Sequence, residues 1–369
     1  MKKRILYIML IFPLIFSGCY GYKDMNKVNF VASGLIDEEE SGDVILYGEV
    51  FSGDRGNTTE GAASKRIILQ GKGATINQAF YTMQRSSTYP MAYDVMKALI
   101  FTERIAKHGL TDHLDTILRN QKPNIKIFAF ILEGDPIEFL STHLQDEQFI
   151  GIFLEDMMVM QEDQQEILPI RLNEFYNERI QSGRISLIPT IALCQQPEEK
   201  RVTTTGAAIL KGDKMVGKLD IKELAIYQSI INKIKDSNLT IENPEDKGHL
   251  ISLLVLKNKT KKDIEYDGEK VILKIQINML TSIMGIEGET KMMDEEKEIV
   301  KATSKEVEKR GRELFYKFQE QNIDLFHIET DLNRKYPDVH VPNILENAEI
   351  ELDVQVRIES SQNITEFKQ

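Results

Sequence analysis

The sequence predicts an α+β protein whose C-terminal part is an antiparallel sheet covered by one long helix. Two strands carry the prediction. Val271, Leu273, Ile275, Ile277 and Met279 alternate with Lys274, Gln276 and Asn278, and Ile350, Leu352, Val354, Val356 and Ile358 alternate with charged or amide residues. One wet and one dry face per strand is the mark of an antiparallel sheet. The dry face needs a cover, and the segment from about Asp294 to Gln319 supplies it. There Val300, Val307 and Leu314 recur every seventh residue with Phe318 beside them, a helical stripe. Upstream, strands and helices alternate, which makes the first part α/β or α+β.

The chain opens with Lys2, Lys3 and Arg4, then twelve residues from Ile5 to Phe16 that are apolar throughout, with one proline, Pro13. A basic start and a short apolar run describe a secretory signal, and the run is well short of the roughly 20 residues that span a bilayer. Phe16-Ser17-Gly18-Cys19 closes it like a lipobox, with Phe16 where such boxes usually carry Leu. Residues 1–18 are therefore read as a signal peptide and 19–27 as a lipid-anchored lead. The Cys19 thiol takes a diacylglycerol in thioether linkage, and the new amino terminus takes a further acyl chain such as palmitate. At about 0.8 kcal/mol per buried methylene, two or three such chains hold a domain on a membrane. The alternative is an ordinary secretory signal with a chance cysteine.

The remaining elements follow in order, beginning with an N-terminal mixed α/β unit over 28–195. Val28–Ile36 and Val44–Phe51 read as strands joined by an acidic turn, 54–63 as a loop, and Ile67–Leu69 as a third strand. Gly71-Lys72-Gly73 leads into a helix from Ile76, with Thr75 and Gln78 in capping-box spacing. Neither the spacer nor the Lys-Ser/Thr end of a phosphate-binding loop is present, so a structural turn is the reading. Val95–Phe101 and Ile125–Leu132 follow as strands, with a helix ending near Gly109 and another capped by Asp112. Gly134-Asp135-Pro136 starts a further helix with proline at its first position. Ile150–Ile180 is helical and divided by Pro169, its Met157, Met158 and Met160 read as core. Ile185–Cys194 is a strand, and 195–205 a boundary.

A small hairpin-helix unit over 203–243 has strands Ala207–Leu210 and Met215–Leu219 around Gly212-Asp213, and a helix capped by Asp220 and Glu223. It is too small to bury much alone and should pack on a neighbour. The α+β unit over 247–369 completes the chain, with Glu306–Arg310 and Glu313–Lys317 as i,i+4 pairs on its helix.

Composition narrows the function. The 369 residues carry a formal charge of −12, and the signal removes three cations and no acids, so the mature chain carries −12 − 3 = −15. Such a surface repels nucleic acid and anionic headgroups, and membrane attachment falls to the lipid and to protein partners. The only cysteines are Cys19 and Cys194, so an acylated Cys19 leaves Cys194 without a disulfide partner; a buried thiol is expected there. His108 and His113 lack the spacing of a zinc helix, the other histidines are scattered, and no serine elbow is present. No catalytic residue, metal site or cofactor emerges. From the residues alone the chain is an extracytoplasmic, membrane-tethered, noncatalytic protein.

The order of features resembles the C-subunit lipoproteins of spore germination receptors. The likeness is carried by Cys19-Tyr20 ahead of an acidic and basic lead, Gly34-Leu35-Ile36-Asp37, Gly71-Lys72-Gly73-Ala74-Thr75, Leu99 to Arg104, and Ala106-Lys107-His108-Gly109-Leu110 with Leu118-Arg119-Asn120. It continues through Gly206–Leu210 and Asp213–Leu219 to Asp324-Leu325-Phe326 and Arg334-Lys335-Tyr336-Pro337. Tyr20 and Val339-His340-Val341 stand where the family commonly has Trp. The resemblance implies a three-domain α+β architecture on the outer face of the spore inner membrane, assembled with two integral membrane subunits of A and B type into a nutrient receptor. A scaffold or coupling role is the expectation. The alternative is a substrate-binding lipoprotein of a membrane transporter, which needs two similar lobes around a cleft.

Overall fold

The structure is a computed structural model and describes residues 27–52, 65–119, 124–164, 167–179, 185–288 and 295–359. The described residues up to Asp220 build one mixed sheet. Its strands are β1 (Asn29–Glu38), β2 (Val44–Ser52), β3 (Arg66–Gly73), β4 (Met91–Ala92), β5 (Ala98–Thr102), β6 (Phe128–Leu132), β7 (Ile185–Gln195), β8 (Lys200–Lys211) and β9 (Lys214–Asp220). They run in the order β3-β2-β1-β5-β6-β7-β8-β9, with β4 also beside β1. The centre, β1-β5-β6-β7, is parallel and both margins are antiparallel. Sequence and position agree, because β5 (ALIFT) and β6 (FAFIL) are buried at every residue, as parallel strands covered on both faces must be. β6 starts three residues later than its apolar run suggests. Asn124 turns the chain first, accepting Lys126 N through its side chain at 3.0 Å and Ile127 N through its carbonyl at 3.2 Å.

Helices cover both faces. On one lie α1 (Ile76–Arg85), α2 (Glu103–His108) and α3 (Thr111–Arg119); on the other lie α4 (Pro136–Ser141) and α5 (Ile150–Gln164), while α6 (Leu172–Glu178) returns to the first. Of the caps foreseen in the sequence, Thr75 is present, whereas Asp112 lies inside the first turn of its helix, which begins at Thr111. Thr75 accepts Gln78 N at 3.3 Å and Asp135 accepts Glu138 N at 2.7 Å. The Gln78 side chain reaches back to Ala74 N at 3.0 Å, one residue before the cap. Gly71 and Gly73 are packing residues: a Cβ on Gly71 would stand 1.9 Å from Ala79 O, and one on Gly73 2.6 Å from Gln78 Cβ. Only glycine lets α1 lie this close on β3. Lys72 between them pairs with Glu39 at 2.7 Å.

The segment 195–205 is a hairpin turn and the start of β8, which pairs with β7 from Ile185↔Lys211 to Gln195↔Lys200. The β8–β9 hairpin finds its neighbour by extending the first sheet's edge. Cys194 sits at the far end of β7, free and half-buried. Of the methionines in α5, Met158 is buried and Met160 is exposed.

After the helix α7 (Ile221–Ile230), capped reciprocally by Asp220 and Glu223, comes the second sheet. β10 (Ser237–Glu242), β11 (Leu250–Tyr266), β12 (Val271–Ile286) and β13 (Ala348–Ile358) lie in that order. The α+β class and the covering helix α8 (Glu295–Glu320) are as expected, and α9 (Ile328–Lys335) follows it. The sheet is antiparallel through β12, whereas β13 joins β12 in parallel. A 26-residue helix between the two strands is a crossover that brings the chain back to the end at which β12 began. Val307, Leu314 and Phe318 are buried beneath α8. Glu306 and Arg310 pair at 2.7 Å, but Lys317 reaches Glu223 on α7 instead of Glu313.

α8 also closes the sheet edges. Arg310 donates to Thr240 O of β10 at 3.1 Å, while Arg312 donates to Leu352 O and Glu308 accepts Val354 N of β13, at 3.3 and 3.2 Å. Open edges template association, and here one helix occupies polar groups on both. The two sheets share a core: Ile185, Leu187, Ala207, Ile209 and Leu219 of the first cluster with α7, with β10–β13 and with α8.

Candidate functional site: family pins and an intersheet cleft

Phe16, Ser17, Gly18 and Cys19 lie outside the described residues, as does the loop 54–63. Among the described residues no group of three or more His, Cys, Asp or Glu is arranged to hold a metal ion, and no helix is long and apolar enough to cross a membrane. His108 and His113 face different surroundings. His108 is exposed against Glu38, and His113 is half-buried in α3, where desolvation lowers its pKa.

The recurrent motifs prove to be pins between elements. Asp37 accepts Thr102 Oγ1 at 2.5 Å and lies 3.6 Å from Arg104 Nε, joining β1 to the β5–α2 corner. Asp213, in the β8–β9 turn, takes both carboxylate bonds from Arg179 Nη1 at 3.0 and 3.1 Å, and also meets Thr111. Arg179 Nη2 continues to Asp115 at 2.9 Å. The ends of α3 and α6 are thus fastened to the hairpin. Asp324 caps α9 through Ile328 N and Glu329 N at 2.8 and 2.9 Å. Phe326 next to it is buried 5.9 Å from Phe315, ring centre to ring centre. Lys335 reaches Asp263 Oδ1 and Ile264 O at 2.6 and 2.7 Å, tying α9 to β11.

Sequence reasoning passed over two further features. The first is Glu49 on β2, fully buried. It accepts Arg66 Nε at 2.6 Å, Ser33 Oγ at 2.9 Å, and the first two amides of α5, Ile150 N and Gly151 N, at 2.8 and 2.9 Å. A helix N-terminus favours an anion, and this one is supplied from within. With its lone pairs filled, Glu49 fixes α5 to the sheet and is not free for chemistry. A Cβ on Gly151 would stand 2.4 Å from Ala32 O, so glycine permits the close approach.

The second is a cleft of ≈ 530 Å³ between the sheets, walled by α6, the start of β7, the end of α7, and α9. Glu174, Glu178, Lys233, Lys262, His327 and Asp331 give it both signs of charge. Lys262 pairs with Asp331 at 2.5 Å and donates to Phe326 O. Burial raises the Glu178 pKa; Lys233 opposes the shift and Glu174 adds to it. Burial lowers that of His327, and burial, aided by Glu178 and Asp324, raises that of the Tyr227 phenol. The only signal in the sequence was that charged residues flank apolar ones at 178 and 233; their meeting depends on tertiary packing.

Two family models match in sequence order. The spore germination protein N-terminal domain covers residues 21–193, and the spore germination B3/GerAC-like C-terminal domain covers 205–362. The chain belongs to this spore germination family. Membership places it among the proteins of spore germination, and the two models meet at the β7–β8 hairpin. Spore germination protein GerQC of Bacillus cereus is 23% identical over 328 residues, 88% of each chain. The putative spore germination protein YfkR of Bacillus subtilis is 22% identical over 337 residues, covering 88% of this chain and 86% of the relative. The crystal structure of the GerBC protein matches 92% of this chain and all of its own, with a TM-score of 0.57 at 16% identity, a likeness of fold.

Proposed function

We propose that this chain is a lipid-anchored, noncatalytic subunit of a nutrient germinant receptor, serving as scaffold or coupler for two integral membrane subunits of A and B type on the outer face of the spore inner membrane. The observation that carries the reading is the colinear match of both family domains over nearly the whole mature chain. The lipobox-like Phe16-Ser17-Gly18-Cys19 supports the anchor. The family motifs support the noncatalytic role, because Asp37, Asp213 and Asp324 spend their carboxylates on arginine, hydroxyls and backbone amides. Two similar lobes, the requirement of the transporter alternative, find no support in a nine-stranded mixed sheet beside a four-stranded one. Fluorescently tagged protein in fractionated spores tests the reading. Recovery with the inner membrane is expected, and recovery in the coat or the soluble core overturns it.

A further inference from the structure

α7, α8 and α9 pack on one face of the second sheet, the face that carries Val271, Leu273, Ile275, Ile277 and Met279 of β12. No element covers the opposite face among the described residues. The strand register fixes what that face carries. Lys257, Lys259 and Lys261 of β11 stand opposite Leu280, Asn278 and Gln276 of β12, and Leu280 stands opposite Arg357 of β13. Alternate residues of a strand share a face, so the three lysines form a stripe about 13 Å long. Next to its Lys257 end lie Leu250, Leu254, Leu280 and Met284, of which Leu250 is 45% and Met284 66% exposed.

The charges on this face divide by partner. Its acids are engaged: Glu265 with Lys274 at 2.6 Å, Asp263 with Lys335 at 2.6 Å, Glu349 with Lys270 at 2.5 Å, and Asp353 with Gln276 Nε2 at 3.2 Å. Lys257, Lys259, Lys261 and Arg357 differ. All four are exposed, and none has an ion pair within 4.0 Å among the described residues. The chain as a whole is acidic, yet this face gathers four unmatched cations beside exposed apolar side chains.

We propose that this face lies on an anionic lipid bilayer, with the four cations at the phosphates and Met284 and Leu250 at the boundary of the acyl chains. Each cation held near an anionic surface is worth roughly fivefold in affinity, and apolar side chains add to it by leaving water. The turns beyond the apolar group carry Glu242, Asp246 and Glu287, so contact is made by the flat of the sheet and not by its end. The inference rests on the reading of the chain as membrane-anchored, because an anchor holds the face within reach of headgroups. It adds an orientation, with the second sheet against the bilayer and α8 turned away from it.

The chain contains no Trp, so M284W places a single reporter on the face. The test reconstitutes the acylated full chain carrying M284W into vesicles of phosphatidylcholine alone and of phosphatidylcholine with a third of phosphatidylglycerol. The anchor should float the protein with both. Only the anionic vesicles should shift the Trp emission to the blue and let lipids brominated in the acyl chain quench it, and high salt should reverse both effects. K257Q/K259Q/K261Q in the same background should abolish the shift and leave thermal unfolding unchanged, because the three lysines are exposed and unpaired. A reporter on α8, K301W, should show no shift on either vesicle. Emission that ignores anionic lipid, a shift that survives the triple substitution, or an equal shift at K301W would overturn the proposal. Failure to float with neutral vesicles counts against the anchor alone, since the shift on anionic vesicles still reads the face.

Discussion

Glu49 gathers four donors from β1, β3 and α5 into a fully buried position. Removing the carboxylate leaves the Arg66 guanidinium and two helix amides without their anion. Breaking one partner of a buried pair costs about 3–5 kcal/mol, so Glu49→Ala should lower the unfolding free energy by that much, seen as a lower urea midpoint at constant slope. Glu178 gives a second expectation at this scale. Its folded pKa is raised, so its contribution is fully present below the unfolded value near 4.5 and is lost as pH rises through the folded pKa. Glu178→Gln should therefore raise the melting temperature at neutral and alkaline pH and leave it unchanged near pH 4. Neither residue was legible in the sequence. The partners of Glu49 lie up to 102 positions away, and nothing local distinguishes it from a surface glutamate.

Elements were legible where their signals were local. Thr75 and Asp220 announced their helices because a cap reads the next three residues. The seven-residue stripe of α8 was legible too, and its core worth can be measured. Leu314→Ala, at a 3% exposed position, should cost about 2–5 kcal/mol in chemical denaturation. Gly71→Ala would press a methyl on the backbone of α1 and should cost about 1–3 kcal/mol or more. β11 escaped the same reading. Its register shifts between Val255 and Lys257, so the alternation of Ile251, Leu253 and Val255 changes face as the lysine-rich half begins. β10 is only six residues long. The parallel β12–β13 pairing was equally hidden, since alternation marks a half-buried strand without giving its direction.

At the scale of the molecule, the shared core of β7–β9, α7 and the second sheet joins the two family domains into one packed body. Thermal unfolding of the purified chain should give one transition, and two well-separated transitions would contradict a shared core. Among its described residues no helix is long and apolar enough to cross a membrane, and the proposed anchor is an acylated Cys19. The most direct measurement is nutrient-triggered germination of spores whose only copy of this chain carries Cys19→Ala. The account predicts a folded protein, intact in its melting profile, and loss of the germination response that depends on it. A normal germination rate in those spores would contradict it.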